Sequence, residues 1–275
     1  MSDFETINAA DGTVLRGHIW ATAKPTAVMN LVHGFGEHSG RYADMAAYLN
    51  SRDISVIALD LRGHGRSDGA RGFCPNYDLM LGDIDALLAQ SRKTFPGIPQ
   101  CLYGHSMGGG LVLNHQLKNA NSDMRCVIAS APFIQSAQPI SKPQRIIVKT
   151  LGKIAPKMTL GNKIDGSKIS RLPAEQETYM SDPLNHGKLG VGLAIGMVEG
   201  GEWIIDNASN WQKPLLIVHA RNDQLTDFAA SEAFAAQAPQ CNFQAYENCE
   251  HEIHNDTPRA DVYKTAADFI ESHLS

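Results

Sequence analysis

A pentapeptide of the form G-x-S-x-G at residues 104–108 places Ser106 between an apolar run and a segment with helical patterning. A serine on a sharp turn from a strand to a helix exposes its hydroxyl, and glycines are needed beside it because a Cβ there would collide with neighbouring elements. The amide of Met107 would begin the helix and point towards developing negative charge. Because 24 of the 275 residues are glycine, the pattern also arises by chance. Its interpretation as a nucleophile therefore depends on the surrounding sequence.

An aspartate and a histidine downstream complete the set of groups that such a serine requires. A serine hydroxyl needs a base to remove its proton, and the base needs an acid to fix its tautomer. On this type of turn the acid and the base follow the serine in that order. Asp223 and His251 each follow an apolar run with strand character, whereas Asp227 lies where the next helix begins and fits a helix cap. We predict Ser106 as the nucleophile, Asp223 as the acid and His251 as the base.

The motif H-G-F-G, at residues 33–36, follows a further apolar run. Taken alone, it indicates only a glycine-containing turn after a strand. When a serine lies on a strand-to-helix turn, however, the loop at this place supplies the second amide that stabilises an oxyanion. We therefore predict that the backbone N–H groups of Phe35 and Met107 together bind the oxyanion of a tetrahedral intermediate.

A metal site is the alternative interpretation of His251 and His254. Zinc-binding helices with the motif H-E-x-x-H have histidines four residues apart, whereas these two are three apart and no third ligand cluster is apparent. We therefore predict no metal and no cofactor. A helical turn after His251 would instead bring His254 close to it, where its ring would help to bind the substrate.

Short apolar runs alternate with longer segments of helical patterning along most of the chain. This alternation is typical of a mostly parallel sheet with helices on both faces, and it predicts active residues at the carboxyl ends of strands. The predicted strands are 27–32, 55–61, 100–103, 125–130, 215–219 and 242–246. The predicted helices are 42–51, 77–94, 109–117 and 228–238. Each candidate loop described above follows one of these strands.

Between about residues 133 and 207 the alternation breaks, and no convincing strand is predicted. Apolar residues at helical spacing lie there beside basic ones: Ile146, Ile147, Leu151, Ile154, Lys142, Arg145, Lys149, Lys153 and Lys157. This pattern fits either an ordinary amphipathic helix packed on the core or a lid whose apolar face meets a lipid chain and whose lysines meet lipid headgroups. We predict a core formed by residues 1–132 and 208–275, with residues 133–207 inserted as a helical cap.

Composition argues against several classes of protein. A hydrophobic content of 43% with 19% charged residues is ordinary for a globular protein, and no apolar run is long enough to cross a bilayer. The net charge of -5 disfavours nucleic acid as a partner. The first residues do not resemble a signal peptide, and five cysteines without a C-x-x-C motif suggest reduced thiols. We therefore expect a cytoplasmic protein without nucleic-acid partners.

Four motifs together resemble the monoacylglycerol lipase and lysophospholipase branch of the α/β-hydrolases. They lie at residues 33–42, 60–69, 104–109 and 181–184, and the similarity extends from about residue 6 to residue 270. The motif G-H-S-M-G-G is shared widely among serine hydrolases, whereas H-G-x-G-E-H-S-x-R-Y is much narrower. The resemblance implies the α/β-hydrolase fold and hydrolysis of the ester of a singly acylated lipid without a cofactor.

The same resemblance implies roles for four further residues. In monoacylglycerol lipases the glutamate and arginine of the E-H-S-x-R-Y segment help to form the polar end that accepts glycerol, and they correspond to Glu37 and Arg41. Tyr179, shortly before the S-D-P-L motif, and His254 are similarly placed near the alcohol. The spacing of Glu37 and Arg41 by four residues fits an ion pair within one helical turn equally well, so both interpretations stay open.

Two positions depart from the animal monoacylglycerol lipases, and the headgroup is left open. Phe35 stands where they carry a small residue, and Thr226 stands where they carry a cysteine. The backbone amide at position 35 is retained, so we expect catalysis to survive and the acyl pocket to differ in shape. A lysophospholipase or a general carboxylesterase would use the same triad, and a non-catalytic receptor of this fold is a third interpretation. We expect a lipid-ester substrate and peripheral contact with a membrane through the cap.

Overall fold

A mixed sheet of eight strands forms the centre of the part of the chain that the computed structural model describes, residues 2–138, 150, 158–161 and 164–274. The strands are β1 Ser2–Asn8, β2 Val14–Trp20, β3 Ala27–Val32, β4 Ile54–Asp60, β5 Gln100–His105, β6 Val127–Ser130, β7 Thr159–Gly161, β8 Lys188–Gly190, β9 Leu215–Ala220 and β10 Cys241–Tyr246. The sheet has the order β1, β2, β4, β3, β5, β6, β9, β10, whereas β7 and β8 pair separately. From β4 to β10 all neighbours are parallel, so their carboxyl ends share one edge of the sheet.

Helices cover both faces of this sheet. They are α1 Ala43–Asn50, α2 Tyr77–Thr94, α3 Met107–Lys118, α4 Pro173–Ser181, α5 Val191–Asp206, α6 Phe228–Gln237 and α7 Arg259–Glu271. The apolar residues of α1 and α7 join the core on one face, and those of α2, α3, α5 and α6 join the core on the other. The central strands β3, β4, β5, β6 and β9 are buried along their whole length, as parallel strands covered on both sides must be. None of the helices that the structure describes is long and apolar enough to cross a bilayer.

The predicted alternation of strands and helices is confirmed. The strand 27–32 and the helix 77–94 have the predicted bounds, and the other predicted elements differ by only one or two residues at an end. The structure adds β1, β2 and α7, which the sequence pattern did not reveal. The strands β1 and β2 pair antiparallel at one edge of the sheet, and an arginine, a glycine and a histidine interrupt the apolar pattern of β2.

The prediction that residues 133–207 contain no strand is wrong. The strands β7 and β8 pair antiparallel in this region, with Thr159 opposite Gly190. Each has only three residues and depends on its distant partner for hydrogen bonds, so neither has a local sequence pattern. The residues that suggested an amphipathic basic helix lie outside the described residues: Lys142, Arg145, Ile146, Ile147, Lys149, Leu151, Lys153, Ile154 and Lys157.

Candidate active site

Ser106 lies on a strained turn between β5 and α3. Its backbone angles are φ 54° and ψ -119°, outside the regions that residues with a side chain ordinarily occupy. The turn requires glycines, because a Cβ on Gly104 would lie 2.3 Å from the carbonyl oxygen of Gly108, and one on Gly108 would lie 2.2 Å from that of Val32. The N–H of Ser106 donates to the carbonyl of Ser130 at 2.9 Å. The backbone of the predicted nucleophile is therefore held tightly in an unusual conformation.

Hydrogen bonds fix the loop that would supply the amide of Phe35. The N–H of Gly34 donates to Oε1 of Glu37 at 2.6 Å. The N–H of Leu61 donates to Nε2 of His33 at 2.9 Å, so Nδ1 carries the proton of this ring and donates to the carbonyl of Gly34 at 2.7 Å. Burial lowers the pKa of His33 and keeps the ring in the neutral form that this pattern requires.

This loop lies directly beside the predicted nucleophile. A Cβ on Gly34 would lie 3.1 Å from the Cβ of Ser106. Met107, the first residue of α3, follows Ser106 immediately, so its amide belongs to the positive end of a helix. The two segments that would supply the predicted oxyanion amides, those of Phe35 and Met107, therefore meet at Ser106.

Asp223 and His251 form a buried hydrogen-bonded pair at the ends of neighbouring strands. Asp223 follows β9 and His251 follows β10, and Nδ1 of the imidazole lies 2.6 Å from Oδ2 of the carboxylate. The other carboxylate oxygen accepts hydrogen bonds from the N–H groups of Leu225 and Thr226, at 2.7 and 3.1 Å. Because an ionised carboxylate can only accept, the proton of His251 lies on Nδ1 and Nε2 is left as the basic nitrogen.

The carboxylate of Asp223 and the protonated form of His251 stabilise each other. Burial alone would raise the pKa of Asp223, but the neighbouring imidazole of His251 and the hydrogen bonds to the carboxylate hold it well below its usual range. Burial alone would lower the pKa of His251, but the carboxylate of Asp223 outweighs burial and raises this pKa. The surroundings therefore keep the carboxylate ionised and stabilise the imidazolium that forms when His251 accepts a proton.

The residues after Asp223 have separate roles in the same loop. Asp227, the alternative acid, caps α6 as predicted, because its side chain accepts a hydrogen bond of 2.9 Å from the N–H of Ala229. The hydroxyl of Thr226 lies 2.9 Å from Oδ2 of Asp223 and 3.1 Å from the carbonyl of Ala131. The sequence indicates only that Thr226 departs from the animal relatives, since its contact with Asp223 depends on how the loop folds back.

Ser106 and His251 line the same cavity, which has a volume of about 330 Å³. Much of its apolar wall comes from residues beyond position 132: Phe133, Ile164, Ile169, Leu189, Ala194, Met197, Val198 and Leu225. Glu37 and Tyr179 also line it, and so does Lys168. Apolar walls with a few polar groups beside reactive side chains are typical of a site for a small molecule.

Arg41 forms a buried ion-pair cluster behind one wall of the cavity. Its guanidinium contacts Glu37 at 2.8 Å and Glu252 at 2.5 and 2.8 Å, and it lies 4.7 Å from the centre of the Tyr179 ring. The ion pair between Glu37 and Arg41 is therefore present. The side chain of Arg41 is only 5% exposed and does not line the cavity formed by the described residues. Of the four predicted glycerol contacts, Glu37 and Tyr179 are the two that reach the cavity.

His254 is completely buried near His251, the predicted base. Its ring stacks on Tyr42 and meets the edge of His105, each at a centroid distance of 4.7 Å, and His105 in turn lies 4.7 Å from the ring of His251. Neither ring nitrogen of His254 has a hydrogen-bond partner among the described residues, and burial lowers its pKa to about 4. The ring is not part of the cavity wall that these residues form. Within the described ranges, no group of three metal-ligating side chains is arranged to hold a metal ion.

Glu252 is a site residue that sequence reasoning missed. It follows His251, is buried, lines the cavity and pairs with Arg41. Burial alone would raise the pKa of Glu252, but the guanidinium of Arg41 lowers it. The only signal in the sequence is an acidic residue beside the predicted base, and nothing local connects it with an arginine more than 200 positions earlier.

The topology, with Ser106 on the turn after β5 and with Asp223 and His251 after the last two strands of the sheet, is that of an α/β-hydrolase. Residues 23–258 match the family described as serine aminopeptidase, S33, and the chain belongs to this family. The predicted fold class is thereby confirmed.

Two relatives and a solved structure are similar over most of this chain. An uncharacterised abhydrolase domain-containing protein of Dictyostelium discoideum is 33% identical over 277 residues, which are 99% of this chain but only 29% of that protein. A monoacylglycerol lipase of Mycolicibacterium smegmatis is 31% identical over 253 residues, covering 91% of this chain and 90% of the relative. The crystal structure of a monoacylglycerol lipase of Paleococcus ferrophilus has a TM-score of 0.84 at 26% identity, covering 94% of this chain and 99% of that one. The resemblance to this branch of the α/β-hydrolases is therefore confirmed.

Proposed function

We propose that this protein is a serine hydrolase that cleaves the ester bond of a monoacylglycerol and releases glycerol and a fatty acid. The observation that carries the proposal is that Ser106, on its strained turn, and the hydrogen-bonded pair of Asp223 and His251 converge on one cavity. The similarity to proteins named monoacylglycerol lipases supports the substrate class.

In the proposed acylation step, Nε2 of His251 removes the proton of the Ser106 hydroxyl while the serine oxygen attacks the ester carbonyl. The N–H groups of Phe35 and Met107 stabilise the oxyanion that forms, and Asp223 holds the imidazole in its tautomer. When the tetrahedral intermediate collapses, the ester bond breaks and His251 gives its proton to the departing glycerol oxygen. An acyl group then remains on Ser106.

Deacylation repeats these steps with water as the nucleophile. His251 removes a proton from the water, the hydroxide attacks the acyl carbon, and the same two amides stabilise the second oxyanion. The bond to Ser106 breaks, the serine oxygen recovers its proton from His251, and the fatty acid leaves. These steps need neither a metal nor a cofactor.

The apolar walls of the cavity support an acyl chain as part of the substrate. Phe35, Phe133 and Met197 are among the apolar side chains that line it. Moving a hydrocarbon chain from water to such walls contributes roughly 25 cal/mol for each Å² of apolar surface buried. The ring of Phe35 meets the rings of His64 and His186 in T-shaped arrangements, with centroids 5.9 and 5.8 Å apart, and these contacts hold it in the cavity wall.

We propose that Glu37 and Tyr179, which line the cavity, contact the glycerol hydroxyls. Arg41 would contribute from behind them, because its guanidinium binds the Glu37 carboxylate and stacks on the Tyr179 ring. His254 would contribute by packing against His105, which lines the cavity. In this arrangement Glu37 and Tyr179 contact the alcohol, whereas Arg41 and His254 support the cavity wall from behind.

A lysophospholipid is the second candidate substrate, and Lys168 is the observation that favours it. This side chain lines the cavity, and a cation suits the phosphate of a glycerophospho headgroup. The triad and the oxyanion amides would act in the same way on either ester, so only the leaving group differs.

We also propose that residues 133–207 form a cap on a core of residues 1–132 and 208–275, and that this cap meets a lipid surface in the cytoplasm. In support, β7 and β8 lie outside the main sheet, and the region supplies much of the cavity wall. Met180 on α4 is 60% exposed, and an exposed apolar side chain can enter a bilayer interface. Co-sedimentation with phosphatidylcholine vesicles should weaken in Met180→Ser, and unchanged binding would contradict a role for this residue.

Steady-state hydrolysis of 1-monoacylglycerols, lysophosphatidylcholine and p-nitrophenyl butyrate tests the proposed function, with Ser106→Ala as the blank. An amino-acid p-nitroanilide tests the activity that the family description names. We expect the highest kcat/KM for monoacylglycerol. A preference for lysophosphatidylcholine would change the headgroup and leave the triad in place. If no ester is hydrolysed in a serine-dependent way, the proposal fails and a non-catalytic binding protein becomes the better interpretation.

A further inference from the structure

His219 is a buried histidine beside the proposed triad, and the mechanism above leaves it without a role. It lies near the end of β9, four residues before Asp223, and its exposure is 0%. Its ring meets that of Phe228 in a T-shaped arrangement with centroids 5.6 Å apart. Removing a polar ring from water costs free energy unless the ring is hydrogen-bonded. The hydrogen bonds of His219 therefore indicate its role.

Two imidazoles share one carboxylate oxygen of Asp223. Nε2 of His219 lies 3.1 Å from Oδ2, and Nδ1 of His251 lies 2.6 Å from the same atom. The hydroxyl of Thr226 is the third polar neighbour of this oxygen, at 2.9 Å. The triad acid is therefore bound by a second histidine as well as by the base.

The surroundings of His219 fix its tautomer. Oδ2 of the ionised Asp223 can only accept, so the proton of His219 lies on Nε2. Nδ1 is buried and has no hydrogen-bond partner among the described residues. A proton on Nδ1 would lose its hydration and gain no acceptor. His219 is thus arranged as a hydrogen-bond donor through Nε2, which lies 3.1 Å from Oδ2 of Asp223 and 3.2 Å from the hydroxyl of Thr226. His251, by contrast, lines the cavity and can exchange a proton there.

We propose that His219 is a positioning residue of the hydrolase, which acts on His251 through Asp223. Its hydrogen bond holds Oδ2 where it meets Nδ1 of His251, and it takes up part of the negative charge of the carboxylate. The first effect orients the imidazole of His251. The second effect weakens the attraction between the Asp223 carboxylate and the His251 imidazolium. His251 then releases its proton more readily to the leaving alcohol. This inference rests on the proposed function.

The other titratable groups around His251 stay unchanged in the test. Glu252 and Glu37 face it from two loops and, with Asp223, raise its pKa against the effect of burial. The ring of His105 lies 4.7 Å away, and His254 packs on His105. A comparison of variants at position 219 alone therefore isolates the contacts that Nε2 of His219 makes with Asp223 and Thr226.

The test compares His219→Leu, which removes the donor, with His219→Gln, which keeps an N–H that can reach Oδ2. For the leucine variant we expect kcat to fall about 10-fold, since one hydrogen bond to a charged group is lost. KM should stay unchanged, because His219 is not part of the described cavity wall. The apparent pKa of the acid limb in the pH profile of kcat should rise by about half a pH unit. The reason is that an Asp223 carboxylate with fewer hydrogen-bond donors holds the imidazolium proton of His251 more strongly.

The glutamine variant should recover most of kcat and the original pH profile. His115→Gln is the matched control, because His115 is another buried histidine paired with an aspartate, Asp85, away from the cavity. It should change neither quantity. Equal kcat and equal pH profiles in wild-type protein and folded leucine variant would overturn the proposal.

Nitrogen-15 NMR of the wild-type protein tests the hydrogen bond without any substitution, and it decides the question if the leucine variant fails to fold. The ring of His219 should show the chemical shifts of the tautomer protonated on Nε2, and the opposite tautomer would overturn the proposal. If the wild-type protein hydrolyses no ester, the proposed function fails, while the NMR result still decides whether Nε2 of His219 carries the proton that a hydrogen bond to Asp223 requires.

Discussion

Two buried clusters of charge lie against His251, and they differ in how completely their polar atoms are used. On one side, the carboxylate of Asp223 binds Nδ1 of the imidazole and leaves Nε2 as an acceptor at the cavity. On the other side, the guanidinium of Arg41 binds both Glu37 and Glu252.

Both clusters pair their carboxylate oxygens fully, and Nε2 of His251 in the first cluster remains as an acceptor at the cavity. Glu37 accepts further hydrogen bonds from the N–H of Gly34 and the hydroxyl of Tyr42, at 2.6 and 2.8 Å. Glu252 accepts one from the side chain of Asn255 at 3.0 Å. A buried polar atom with unused capacity at a cavity can react, whereas a fully paired cluster holds segments together. From this comparison we predict that the cluster of Asp223 and His251 acts in the chemistry and that the cluster of Arg41, Glu37 and Glu252 holds segments together.

The largest expected effect is a loss of activity when Ser106, which lines the same cavity as His251, is replaced. Ser106→Ala should reduce kcat by about 10⁶-fold, because the nucleophile is lost while the oxyanion amides remain. The free energy of unfolding should stay close to that of the wild type, since the change removes one atom at a cavity. Steady-state kinetics and urea unfolding measure the two quantities, and retention of most activity would refute the role of Ser106.

Asp223→Asn should reduce kcat by about 10⁴-fold, because an amide can donate to Nδ1 of His251 and favour the wrong tautomer. Asp227→Ala is the matched control in the same loop. It removes the cap of α6 and should cost about 1 kcal/mol of stability with little change in kcat. A larger loss of activity at Asp227 than at Asp223 would reverse the assignment of the acid.

Arg41→Met should act mainly on stability. It leaves Glu37 and Glu252 buried without their partner, and breaking such a cluster costs about 3–5 kcal/mol. Arg41→Lys should cost less, because an ammonium keeps the charge but cannot reproduce the hydrogen bonds of the guanidinium. Urea unfolding at pH 7 measures both. Unchanged stability combined with a raised KM for monoacylglycerol would instead indicate direct contact of Arg41 with substrate.

A pH series tests whether the ring of His254 is buried in its neutral form. Burial lowers its pKa from 6.5 to about 4 in the folded protein. The unfolded chain therefore takes up this proton at a higher pH than the folded one, so stability is full above about pH 6.5 and is lost as the pH falls towards 4. Between pH 7 and 4.5 we expect a loss of about 2–3 kcal/mol from this residue.

His254→Gln should remove that part of the pH dependence, measured as the difference in unfolding free energy between the two pH values. His115→Gln provides the comparison at another buried histidine. If the glutamine variant at position 254 loses stability at low pH as steeply as the wild type, the ring is not buried in its neutral form.

Much of the fold and the candidate triad could be predicted because the signals are local. The turn at Ser106 needs glycines at fixed positions next to it, and Asp223 and His251 each follow an apolar run. Such runs form strands wherever a sheet buries them, which is why the strand 27–32 and the helix 77–94 have the predicted bounds. The catalytic roles of these residues stay a prediction until the variants are measured.

The sequence by itself determined the α/β architecture and the order of the candidate nucleophile, acid and base, because periodicity and turn chemistry act over a few neighbouring residues. Only the tertiary structure decided the partners. It joined Arg41 to Glu252 and His219 to Asp223, and it buried His254 behind the cavity. These contacts arise because parallel strands bring distant loops to one edge of the sheet, and no local pattern encodes which loop meets which.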